Sequence, residues 1–150
     1  MNTFQVLPMY DIEQIAKILA DLDKYFRDIE NFKIQNQMTT EQFYGSSMIL
    51  FAILNRTIDL GKEIIHGKKL GMPASYKEIF QILEKEKLIS SQLSQELQWL
   101  TNQRNVVAHE YFDIKEKNIV AIYNRIKSVK EFMIKSREII TNKKAMGKNN

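Results

Sequence analysis

The sequence predicts an all-α fold, an up-and-down bundle of about five helices, and three observations predict it. Apolar residues recur at helical spacing in five separate segments. No stretch of useful length alternates apolar and polar residues as a half-buried strand would. The breaks between segments are short, which favours antiparallel neighbours over long crossovers. With 150 residues, the chain is sized for one domain with a real core. We place that domain over residues 1–142, followed by a flexible basic tail over 143–150.

The first helix is expected from about Asp11 to Phe32, with Ile12, Ile15, Leu19, Leu22, Phe26 and Ile29 on one stripe. The second opens in "TTEQFYGSSMILF", where Thr39 is an N-cap and Gln42, three residues on, completes a capping box. Its apolar side holds Phe43, Met48, Phe51, Leu54, Ile58 and Ile65, and Gly67 is its expected C-cap. Gly71 and Pro73 break the pattern. Ser75 then caps a short third helix, with Glu78 at the capping-box position and an end near Glu86. Ser90 or Ser91 starts a fourth helix reaching at least Ala108. A fifth carries Ile119, Ile122, Ile126, Val129, Phe132 and Met133 and fades near Asn142.

Composition excludes several chemistries. There is no cysteine, so disulfides, thiolate nucleophiles and cysteine-based metal sites are absent, as suits a reducing cytoplasm. The two histidines lie in different segments with no His-x(3)-His pair, so no metal or other cofactor is expected. The N-terminal "MNTFQVLPMYDIEQ" lacks a secretory pattern, and no apolar run approaches the roughly 18 residues of a membrane span. The net charge is +4, but three lysines sit in the tail "TNKKAMGKNN". Without them, 19 basic residues face 18 acidic ones, so the body has no broad basic face. Nucleic acid, if bound, must be held by a few placed cations.

The stretch "RNVVAHEY", Arg104 to Tyr111, supplies candidates for those placed groups. On a helix Asn105 and His109 lie about 40° apart, whereas His109 lies about 140° from Arg104. A structural role is open to both: Arg104 capping carbonyls or pairing with an acid, His109 favouring a helix C-terminus. Chemistry offers another. Arginine presents a planar, permanently charged fork that matches phosphate oxygens, and histidine moves protons near neutral pH. These types suffice for RNA cleavage without a metal, through a base on the 2′-hydroxyl, an acid on the leaving 5′-oxygen and a cation on the phosphorane. One imidazole does not easily serve as both acid and base. A two-fold homodimer would bring two copies of each group into one cleft.

A second polar row, Asn55, Asp59 and Glu63, recurs every four residues along the second helix, with His66 near its end. It reads either as a solvated edge or as support for the fourth helix, with Asp59 orienting His109 or pairing with Arg104. His66 is expected to be a helix-end group rather than a ligand. Trp99, Met48 and the spaced aromatics are expected in the core or on a dimer surface.

"RNVVAHEY" fits the Arg-x(4)-His-x-Tyr signature of the HEPN superfamily, and the chain resembles a HepT-type toxin. The likeness runs from "YDIEQIAKILADLDKYFRDI" through "MILFAILNRTIDLGKEII" and "GMPASYKEIFQIL" to "LTNQRNVVAHEYFDI". It implies a homodimeric, metal-independent endoribonuclease of a toxin–antitoxin pair, with Arg104 and His109 as the catalytic pair. Asn105 takes a position commonly polar in that family. The resemblance also implies an MntA-type nucleotidyltransferase antitoxin as partner, which would modify Tyr111 with AMP and bind the ATP itself, since the five glycines of this chain form no phosphate cradle. An alternative from another class is a non-catalytic dimeric module that serves as substrate and scaffold for such a transferase.

Overall fold

A computed structural model describes residues 7–109 and 114–141, and the side chains of residues 106–109 lie outside the description. Six helical segments are described: α1 (Ile12–Ile29), α2 (Thr40–Lys68), α3 (Tyr76–Lys85), α4 (Ser91–His109), α5 (Glu116–Arg125) and α6 (Lys127–Thr141). The fifth predicted helix is thus divided at Ile126. Its joint is a tighter turn, in which the Ile126 and Val129 amides donate three residues back, to Tyr123 and Ile126.

The starts of the helices follow the sequence closely. Asp11 accepts from the Gln14 amide at 3.0 Å and opens α1. Thr39 and Gln42 exchange hydrogen bonds at 3.2 Å, a complete capping box on α2. Ser75 accepts from Glu78 at the start of α3, while the Glu78 carboxylate reaches back one residue further than expected, to the Ala74 amide. Ser90 rather than Ser91 caps α4, accepting from the Leu93 amide at 3.1 Å.

The ends differ more. α1 stops at Ile29 because residues 31 and 32 hydrogen-bond three residues back, to Asp28 and Ile29. Gly67 does not terminate α2. It is buried inside the last turn, and a Cβ there would collide with the Tyr10 ring. The left-handed terminal position falls instead to Lys69, at φ 57°. Gly67 is therefore selected by a packing contact that local sequence does not display.

α2 is the axis of the bundle and packs against α1, α3, α4, α5 and α6. Accordingly Leu50, Ile53, Leu54, Ile58, Leu60, Ile64 and Ile65 are all buried, around more of its circumference than a single stripe. Gly61 permits the closest approach of α3: an added Cβ would lie 2.6 Å from Ile79 Cγ2. On the far side Phe80 of α3 meets Phe132 of α6 edge-on, with centroids 5.6 Å apart. The buried hydroxyls of Thr57, Thr101 and Ser136 donate to carbonyls four residues back, and Ser94 donates to the Phe80 carbonyl, so each is satisfied. Ile12, expected on the core stripe, is exposed in the first turn of α1, and Met48, expected in the core or on a dimer surface, is exposed on the outer side of α2.

Candidate functional site

The apolar ridge of α4 is Leu93, Leu97 and Leu100, all buried. One turn beyond Leu100 the same face presents Arg104, half-buried, and the helix runs on to His109. Burying part of a guanidinium requires partners, and α2 and α3 provide them. Arg104 Nε donates to Asn55 Oδ1 at 3.0 Å. Its guanidinium carbon lies 5.6 Å from the Phe51 ring centre and 5.5 Å from that of Tyr76. Phe51 and Asn55 stand four residues apart, on one face of α2. Tyr76 is the first residue of α3. Three helices thus converge on one cation.

These contacts orient Arg104 without cancelling its charge. Asn55 is a neutral acceptor, and the two rings offer only their quadrupoles. Among the described residues no carboxylate pairs with Arg104, and none accepts from its terminal nitrogens. With Nε tied down, the fork edge that can grip two oxygens is the part left available.

Asp59 does not pair with Arg104, and the His109 side chain it was otherwise expected to orient lies outside the described residues. Its carboxylate accepts from Arg56 Nη1 at 3.1 Å, and Arg56 also bridges to Asp21 of α1 at 2.7 Å. The residue that reaches Arg104 is Asn55, one turn earlier. Asp59 follows Arg56 by three residues on the same helix, a spacing that sets the two side chains side by side. Glu63, next in the row, is partly desolvated. Burial, then the nearby carboxylates of Asp11 and Asp59, push its carboxyl above the ordinary range, against the opposing pull of His66. The polar row therefore splits into an arginine-orienting amide, a structural ion pair and a strained carboxyl.

Asn105 is half-buried and lines a cleft of about 510 Å³ between α4 and the start of α3. Tyr76 lines the same cleft, so the Arg104 cluster and this cleft share a wall. The His109 side chain and the whole of Tyr111 lie outside the described residues, as does the basic tail. Sequence reasoning did not find Phe51 or Tyr76 as partners of Arg104. Phe51 had a signal, its four-residue spacing from Asn55. Tyr76 had none, because only the turn through residues 70–75 brings it there.

Among the described residues no three His, Asp or Glu side chains gather as a metal site, and no helix is long and apolar enough to cross a membrane. Chemically the arrangement is a preset anion contact: a fixed guanidinium beside a polar cleft whose lining includes Lys77.

A family model described as Ribonuclease HepT-like matches residues 15–136. No curated protein matches the chain. Among solved structures, the cytosolic protein of unknown function YutE from Bacillus subtilis is similar with a TM-score of 0.79 at 19% identity, over 91% of this chain and 94% of that one. A tri-AMPylated HEPN toxin from Shewanella oneidensis, in complex with an MNT antitoxin, is similar with a TM-score of 0.74 at 20% identity, over 90% of this chain and 100% of that one. A toxin–antitoxin structure with AMP-PNP gives 0.74 and 20%, over 85% and 99%. At such identities these likenesses show the fold.

Proposed function

The chain belongs to the HepT-like ribonuclease family, and from that premise we propose that it is a metal-independent endoribonuclease toxin, cleaving RNA where two protomers meet. The observation that carries this reading is the Arg104 guanidinium, held by a neutral amide and two rings with no carboxylate partner among the described residues. An arginine serving only the fold would be expected to face a carboxylate, as Arg56 does.

In this mechanism the two copies of His109 take different roles. One accepts the proton of an RNA 2′-hydroxyl as its oxygen attacks the adjacent phosphorus. The other gives a proton to the departing 5′-oxygen, so the phosphodiester opens to a cyclic phosphate and a free 5′-hydroxyl. Arg104 grips the non-bridging oxygens and stabilises the charge that builds on them. Asn105 supports the groove beside them. Asp59 braces Arg56, the arginine that bridges α2 to Asp21 of α1.

An exposed apolar stripe supports the homodimer. Tyr44 and Met48 are 61% and 75% exposed, and they continue along α2 through Phe51 to Asn55 at spacings of four, three and four. That stripe leads to Arg104. A second copy on it would exclude water and bring the two clusters together. The single domain over residues 1–142, the separate tail and a cytoplasmic location belong to the same reading.

Control by an MntA-type nucleotidyltransferase follows from charge. AMP on Tyr111 would add a phosphodiester anion two residues beyond His109, competing for Arg104 and repelling RNA. The Shewanella relative, which is tri-AMPylated and bound to its antitoxin, favours this form of control.

The test is cleavage of total RNA by the purified chain in EDTA. We expect cutting by the parent and none by His109→Ala, with both proteins folded and dimeric. Cutting by the variant at the parental rate would remove His109 from the mechanism. Absence of cutting by the parent would leave a dimeric scaffold for a transferase.

A further inference from the structure

The cleft beside Arg104 has a composition that metal-free strand scission does not require. Its α4 wall carries Gln98, Asn102 and Asn105 at spacings of four and three, a line of carboxamides along one helix face that ends beside Arg104. Trp99 and Tyr76 supply aromatic surface, and Lys77 belongs to the lining. The cleft is about 510 Å³, room for one nucleotide rather than a protein element.

Its parts are held in place. The Arg125 guanidinium lies 3.8 Å from the Trp99 ring centre and covers one face of it, while Glu96 fixes Arg125 in turn. Tyr76 is flanked by Arg104 at 5.5 Å and by Lys62 at 5.4 Å. Gln98 Nε2 donates to Ser94 Oγ at 2.9 Å, which directs its carbonyl oxygen away from that bond as an acceptor. Among the described residues no carboxylate lines the cleft.

From this we infer that the cleft is a base-reading subsite for single-stranded RNA, holding the nucleotide next to the phosphate that Arg104 grips. A carboxamide offers a donor and an acceptor side by side, the pattern needed to pair with a base edge. Unpaired RNA is recognised chiefly by such edge contacts together with aromatic surface. Lys77 in the lining, with Lys62 and Arg104 beside the Tyr76 ring, supplies positive charge suited to consecutive phosphates. Asn102 and Gln98 then determine which sequences are cut, whereas Arg104 determines whether any is. This rests on the ribonuclease reading, but binding can be measured without cleavage.

Trp99 is the only tryptophan of the chain, so intrinsic fluorescence reports on this cleft. The probe is a set of 2′-O-methyl RNA tetramers, which cannot be cut, titrated into the full-length parent and into Asn102→Ala and Gln98→Ala. We expect saturable quenching by the parent that differs at least fivefold in affinity between base sequences, and a spread narrowed to less than twofold in the variants. In parallel, the set of sites cut in total RNA should broaden for both variants.

Unchanged fluorescence with every tetramer, together with unchanged cut sites, overturns the subsite. Quenching by a purified antitoxin and not by RNA also overturns it, and assigns the cleft to the protein partner. If the parent quenches with sequence preference yet cuts no RNA, the subsite stands and the nuclease reading fails. Circular dichroism of each variant separates a lost contact from a lost fold.

Discussion

Two arginines contact α4 residues or lie on α4 itself, and their partners set them apart. Arg125 donates from Nε and Nη2 to the two oxygens of Glu96, each at 2.9 Å, and stacks on Trp99. That side chain is engaged within the fold: the charge is matched by Glu96, and one face of the plane lies on Trp99. Arg104 is positioned with equal care, by Asn55, Phe51 and Tyr76, all of them neutral, and among the described residues no carboxylate pairs with it. The difference teaches how to tell a clamp from a contact. A fold that needs an arginine for stability pairs it with a carboxylate, because partial burial of an unmatched charge is costly. A fold that keeps the charge unmatched must be over-determined by other packing, and that condition is met where three helices meet.

The largest effect that would sharpen this contrast is on cleavage. Arg104→Ala should lower the rate by about 100-fold or more, the usual cost of removing a donor aimed at developing charge. Arg104→Lys should recover little, since the ammonium is a point charge without the fork. Arg125→Ala should cost no more than a few-fold in rate, while lowering Tm by roughly 2–4 °C for about 1 kcal/mol. Parallel rate and melting measurements decide. If the two arginines exchange these roles, the distinction drawn from their partners is wrong.

A smaller change tests charge alone. Asn55→Asp places a carboxylate at the 3.0 Å contact with Arg104 and converts it into a matched pair like that of Arg125. Cleavage should fall about tenfold, as expected when a nearby anion takes over part of the field at a partly screened site. Melting temperature should hold or rise. Asn55→Ala, which frees the guanidinium without neutralising it, should cost less in rate. If Asn55→Asp cleaves as fast as the parent, the neutrality of the acceptor has no functional meaning.

The bundle was legible in the sequence where information is local. Thr39 with Gln42, and Ser75 with Glu78, mark helix starts because the capping donors lie within one turn. Gly67 misled for the complementary reason: its requirement comes from the Tyr10 ring, far away in sequence. The division at Ile126 also escaped, since the apolar spacing runs through it without a glycine or proline. At the site, Arg104 and Asn105 stood out as polar groups following an apolar ridge. Choosing between Asn55 and Asp59 was beyond periodicity, because both lie on one face and only the Arg56–Asp59 contact shows where Asp59 is engaged. Aromatic cover by Tyr76 depends on a loop conformation that no spacing encodes.

The smallest expected effect concerns the clamp. Arg125, by its hydrogen bonds first, holds the Glu96 carboxyl below its ordinary value of 4.5. A carboxyl depressed in the folded state adds stability that is complete above its unfolded value and disappears as pH falls through its folded value. Glu96 and Arg125 are each about one-third exposed, so solvent screens the pair and the contribution is about 1 kcal/mol or less. Glu96→Gln should therefore melt a few degrees below the parent at pH 7, and the gap should begin to narrow below about pH 4.5. High salt should narrow it as well. A gap that persists unchanged at pH 3 would mean that Glu96 acts by shape, propping Arg125 on Trp99, and that matched charge is not what separates this arginine from Arg104.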